Sequence, residues 1–179
     1  MVVLKPQDVL VVLKLCAYES DRPPLANVAV DLGMSSSEVH AALRRAHAAH
    51  LLTKAGRSER PNPGAVLEFL VHGLKYVFPV QRGEVTRGIP TSYGAEPLKH
   101  LIAPGAQPIP VWPHAEGTAR GAAIEPLYRT APFAALRDRR LHELLALADA
   151  MREGRARERK IAEQQLRIRL RTKKKYAES

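Results

Sequence analysis

Few residues in this chain are placed to do covalent chemistry. His40, His47 and His50 fall in one stretch, and His47 and His50 stand one helical turn apart, a spacing that can seed a metal site. No further His, Asp or Cys lies close enough in the sequence to complete a ligand set, so no metal is expected. Cys16, the one cysteine, sits in a nearly continuous apolar run, where packing is its role rather than reactivity. A lone cysteine also excludes a disulfide framework within the chain. The run Trp112-Pro113-His114-Ala115-Glu116-Gly117-Thr118-Ala119-Arg120-Gly121 is rich in small residues. Its spacing fits neither a phosphate-binding loop nor a dinucleotide fingerprint, and it reads as an irregular docking loop. No nucleophile–base pairing, Gly-x-Ser-x-Gly or repeated carboxylate pair is present. The expectation is a protein that is not an enzyme and carries no cofactor.

The remaining chemistry is that of charge. Lys and Arg number 28 against 18 Asp and Glu, a net +10 over 179 residues. Residues 1–53 are neutral overall, residues 54–136 are mildly basic, and residues 137–179 hold most of the excess. Such a balance points to a polyanionic partner such as nucleic acid, an anionic membrane face or an acidic protein. No apolar stretch approaches the roughly 18 residues of a membrane span, and the first residues lack the order of a secretory signal. A cytoplasmic protein with no membrane partner is expected.

The elements that position these residues are mostly helical. Pro6 suits the first position of a helix, with Asp8 in its first turn, and Val9 to Cys16 make that helix apolar nearly all round, hence buried. Arg22-Pro23-Pro24 ends it. A second helix spans Leu25 to Leu32 and is closed by Gly33. Ser35-Ser36-Ser37-Glu38 forms a capping box that opens a third, whose inner stripe is Val39, Ala42, Leu43 and Ala46. Leu51-Leu52-Thr53 is strand-like, a polar loop follows to Pro63, and residues 64–76 return to helical period. Residues 80–132 hold most of the fourteen prolines and read as an irregular but packed segment, with a short helix from Glu96 to Ile102. From Ala134 the helical period resumes, broken at Gly154 and continuing to about Leu170; Thr172 to Lys175 read as a frayed end.

The segment LANVAVDLGMSSSEVHAALRRA, residues 25–46, resembles a helix-turn-helix. Small Ala29 stands where the two helices approach, Gly33 occupies the turn, Leu32 and Met34 bracket it, and Val39 and Leu43 bury the second helix. With the preceding helix and the strand-like run after it, residues 5–60 resemble the winged helix-turn-helix domain of bacterial transcription regulators, nearest to the MarR type. The resemblance implies a mainly α fold with minor β, in three parts. These are a winged helix-turn-helix over residues 1–78, an irregular Pro/Gly-rich packed segment over 79–133, and a basic C-terminal helical segment over 134–179. The usual second wing strand is not visible in the sequence, so the wing is expected as a loop.

The function implied is sequence-selective binding of double-stranded DNA. On the third helix Ser36, Ser37, His40, Arg44 and Arg45 would face the duplex, Arg44 being the candidate for a bidentate guanine contact. Lys54, Arg57 and Arg60 on the wing would meet the backbone or minor groove. Leu141, Leu144, Leu145, Ala148 and Met151 form a stripe that predicts a homodimer or partner interface. The layout is also similar to antitoxin-type regulators encoded beside nucleotidyltransferase-like toxins. On that alternative, residues 80–170 would bind and neutralise an acidic protein.

Overall fold

The computed structural model describes residues 2–171, so the expectation of a frayed Thr172 to Lys175 lies outside the described residues. The fold is mainly helical with two small sheets. Helix α1 (Pro6–Ala17) starts where Pro6 fixes φ and loses no useful donor. Its Val9 to Leu13 are buried on every side of the helix. Helix α2 (Leu25–Leu32) ends at Gly33, whose φ of +63° lets the Met34 N–H reach the Ala29 carbonyl at 2.9 Å. Helix α3 (Ser36–Ala48) opens on the expected reciprocal cap between Ser35 and Glu38 and lays Val39, Ala42, Leu43 and Ala46 against α1 and α2.

Beyond α3 the structure departs from the loop read in the sequence. Strands β1 (Leu52–Ala55) and β2 (Ser58–Pro61) form an antiparallel hairpin, with Leu52 opposite Pro61 and Ala55 opposite Ser58. Strand β2, Ser-Glu-Arg-Pro, has no apolar alternation to betray it; backbone pairing rather than burial holds it. Helices α4 (Pro63–Glu68) and α5 (Leu74–Val77) are joined through a π-helical turn at Phe69–Gly73, matching the helical reading of residues 64–76.

The middle of the chain is not irregular throughout, as the sequence suggests. Strands β3 (Val85–Pro90), β4 (Pro110–Pro113) and β5 (Ala119–Ala123) close into a small barrel, β3 antiparallel to both partners and β4 parallel to β5. Three strands close only if backbones nearly touch. A Cβ on Gly88 would collide with the Trp112 carbonyl, and one on Gly121 with that of Ile109. The run from Trp112 to Gly121 is therefore the end of β4, a turn and the first part of β5, not a docking loop. The short helix expected from Glu96 to Ile102 shrinks to one 3-10 turn, Leu98–His100.

Helices α6 (Ala131–Arg137), α7 (Arg139–Glu153) and α8 (Ala156–Arg171) complete the chain. The side chains of Leu141, Leu144, Leu145, Ala148 and Met151 on α7 are buried, covered by α1, α5, α6 and α8 of the same chain. The predicted dimer or partner stripe is thus a correction: its residues belong to the protomer's own core, each buried Leu adding about 1.5–3 kcal/mol. One apolar cluster runs from α1 through the barrel to α8. The barrel is pinned to α7 by a buried carboxylate. Asp149 Oδ2 accepts from Thr91 Oγ1 at 2.7 Å and Trp112 Nε1 at 2.8 Å, and its Oδ1 accepts from Arg152 at 2.8 Å. Three polar partners meet Asp149 in the core, and each finds a hydrogen bond there.

Candidate nucleic-acid interface

Helix α3 has two chemically distinct faces. Its apolar stripe is fully covered, and outside it Ser36, Ser37, His40 and Arg44 are exposed. The stripe falls at positions 39, 42, 43 and 46, so the 3.6-residue period puts 37 and 44 opposite it and 40 at its flank, while Ser36 is exposed because it stands at the first position of the helix. The small serines near the helix start leave room for a bulky partner, and free backbone N–H groups at this end favour negative charge. The Arg44 side chain makes no ion pair or hydrogen bond among the described residues. Neither do the side chains of Lys54 on β1 and Arg57 in the hairpin turn, both exposed.

Two other expected contacts are engaged elsewhere. Arg45 turns away from Arg44 and grips Asp8 in the first turn of α1. Its Nε donates to Oδ2 at 2.8 Å and its Nη2 to Oδ1 at 2.7 Å. Asp8 is completely buried, and its Oδ2 also accepts the Lys5 backbone N–H at 2.8 Å. These bonds raise the Arg45 guanidinium above its ordinary value. Arg45 thus compensates a buried charge and is removed from the set of residues expected to face DNA. Arg60 on β2 donates to Asp21 at 2.7 Å across exposed surface, and Arg22 faces Glu59 at 3.7 Å. Both pairs tie the hairpin to the α1–α2 connection, leaving Arg60 exposed but shared.

His50 is a backbone device rather than a ligand. Its φ of +60° closes α3, with the Leu51 N–H returning to the Ala46 carbonyl at 3.0 Å. The His47–His50 spacing therefore does not lie along one helix. Among the described residues no group of three or more His, Cys, Asp or Glu side chains is placed to hold a metal ion.

The first turn of α3 has neighbours that sequence reasoning missed. Glu38 Oε2 accepts from the Ser35 N–H and hydroxyl, both at 2.8 Å, while its Oε1 accepts from the Tyr128 hydroxyl at 3.2 Å. The Ser35 bonds hold the Glu38 carboxyl below its usual range. Arg129 stands 3.8 Å from the same carboxylate. Phe133 of α6 lies so close to the α2–α3 turn that a Cβ on Gly33 would sit 3.1 Å from its ring. No local pattern marks Tyr128 as a partner of a residue 90 positions earlier.

No described helix is long and apolar enough to cross a membrane. Comparison with family models, curated proteins and solved structures returns no match for this chain.

Proposed function

We propose that this chain is a winged helix-turn-helix transcriptional regulator of the cytoplasm that binds double-stranded DNA sequence-selectively through α3. One observation carries the reading. A helix whose inner stripe is buried presents Ser36, Ser37, His40 and an unpaired Arg44 outward, beside a hairpin that carries unpaired Lys54 and Arg57. In this reading Arg44 supplies a planar fork for guanine, Ser36 and Ser37 approach phosphates or base edges, and the hairpin cations meet the backbone. Two-fold pairing would double the site read, and any such pairing uses residues other than the buried α7 stripe.

The experiment is selection of binding sites from random or genomic duplexes by the purified full chain. An enriched motif that Arg44→Ala degrades is expected. No enrichment, with duplex binding absent at low salt, overturns the proposal.

A second reading rests on α8. Arg157, Lys160 and Arg171 are exposed there and make no ion pair among the described residues. This face is the part of residues 80–170 best suited to an acidic protein, as in an antitoxin or adaptor. An acidic protein that co-purifies from the native cell and no longer does so with Arg157→Glu would favour it.

A further inference from the structure

Two arginines of the C-terminal half are held by aromatic rings near the α2–α3 turn: Arg129 stands beside Glu38 in the first turn of α3, and Arg137 stacks on Phe133, which packs against Gly33. Arg129 lies over Tyr128, its guanidinium carbon 5.6 Å from the ring centre, with its side chain 76% exposed. Arg137 lies over Phe133 at 3.7 Å, its Nη1 donating to the Phe133 carbonyl at 3.3 Å, and it too is exposed. The rings themselves are anchored to the helix pair. The Tyr128 hydroxyl donates to Glu38 in the first turn of α3, and Phe133 packs beside Gly33 in the turn. Both cations are thus mounted on the same corner of the molecule that presents Ser36 and Ser37.

We propose that Arg129 and Arg137 form a second phosphate-binding element, which grips the DNA backbone beside the start of α3. This rests on the DNA-binding reading of α3 and extends it to a segment outside the helix-turn-helix. Stacked guanidinium groups lose less freedom when they bind an anion than free lysines do, and their planar forks suit phosphate oxygens. Glu38 is the acidic group facing Arg129, and its carboxylate is already committed to the two Ser35 donors and the Tyr128 hydroxyl. Arg129 forms an ion pair with it at 3.8 Å but donates no hydrogen bond to it, so its N–H groups can still meet a phosphate. The element reads no bases; it adds backbone affinity beside the helix whose Arg44 meets them.

The test is the salt dependence of duplex binding by the full chain. Each phosphate that is no longer neutralised should flatten the slope of log K against log salt by about 0.9. Arg129→Ala with Arg137→Ala should therefore flatten the slope by nearly 2 and weaken random and selected duplexes by the same factor, leaving the selected motif unchanged. Arg157→Ala with Lys160→Ala removes the same charge from α8 and serves as the control. Thermal melts of each variant check that the fold persists; both arginines are exposed, and Arg→Gln variants keep the length if alanine loosens the corner. An unchanged slope in a variant whose parent binds DNA overturns this inference alone. Equal flattening in the α8 control also overturns it, since net charge would then explain the effect. A wild-type chain that binds no duplex overturns the reading of α3 itself.

Discussion

Removing Arg45 separates a fold role from a DNA role more sharply than any other change. Asp8 is fully buried and takes two hydrogen bonds from Arg45 and one from the Lys5 N–H. Arg45→Ala would leave a buried carboxylate with a single neutral donor. Breaking a buried pair by deleting one partner costs about 3–5 kcal/mol. The Arg45 side chain is 20% exposed, so water can enter behind the alanine, and the lower end, about 3 kcal/mol, applies here. For a chain of this size that is a fall of about 6–12 °C in Tm. Urea denaturation followed by helical ellipticity measures it directly. Asp8→Asn combined with Arg45→Met should recover part of the stability, since no charge is then stranded. An Arg45→Ala variant with an unchanged urea midpoint but weakened duplex binding would refute the assignment and return Arg45 to the DNA face.

Arg44→Ala, one residue away, should leave the melting temperature unchanged and remove about 1–3 kcal/mol of discrimination at one base pair of the selected site, read by competition with single-mismatch duplexes. Leu144→Ala should cost about 2–5 kcal/mol with no change in the sedimentation coefficient of the folded fraction; a smaller species at unchanged stability would return the α7 stripe to an interface. Glu38 is held below the ordinary glutamate value by Ser35, so its cap is fully present at neutral pH and disappears as pH falls through the carboxylate range. Glu38→Gln should flatten that acid limb in urea midpoints measured across pH, and an identical limb in both proteins would place the titration elsewhere.

What is legible in the sequence is what is local. Pro6, Gly33 and the Ser35–Glu38 box each act within a few residues, and all three do in the structure what their types demand. The inner stripe of α3 is legible for the same reason. Arg45 is not, because it flanks that stripe and its partner lies 37 positions earlier on α1. The one available signal is Asp8 itself, a carboxylate at the start of a helix apolar on every face. Barrel closure is hidden because β3 and β5 replace alternating apolar residues with Gly88 and Gly121, whose purpose appears only when a second backbone arrives. The α7 stripe is plainly apolar in the sequence, but a one-dimensional pattern cannot tell which surface covers it, and the cover is the chain's own helices rather than a second copy.

The same long-range packing bears on how α3 would work. Helix α1 is buried all round because α3 covers one side and α7 another. Helix α7 is in turn fixed to the barrel through Asp149, Thr91 and Trp112. Across the far end, Tyr128 and Phe133 brace the first turn of α3 and the turn before it. A rearrangement of the barrel or of α7 would reach α3 through α1, and one in the connection before α6 would reach its first turn directly. A flexible linker would decouple the two halves; this chain instead joins them through one apolar core and one hydrogen-bonded carboxylate cap. The placement of α3 is therefore braced by residues far along the chain, which is the condition under which a ligand or partner bound to the C-terminal half could alter binding at α3.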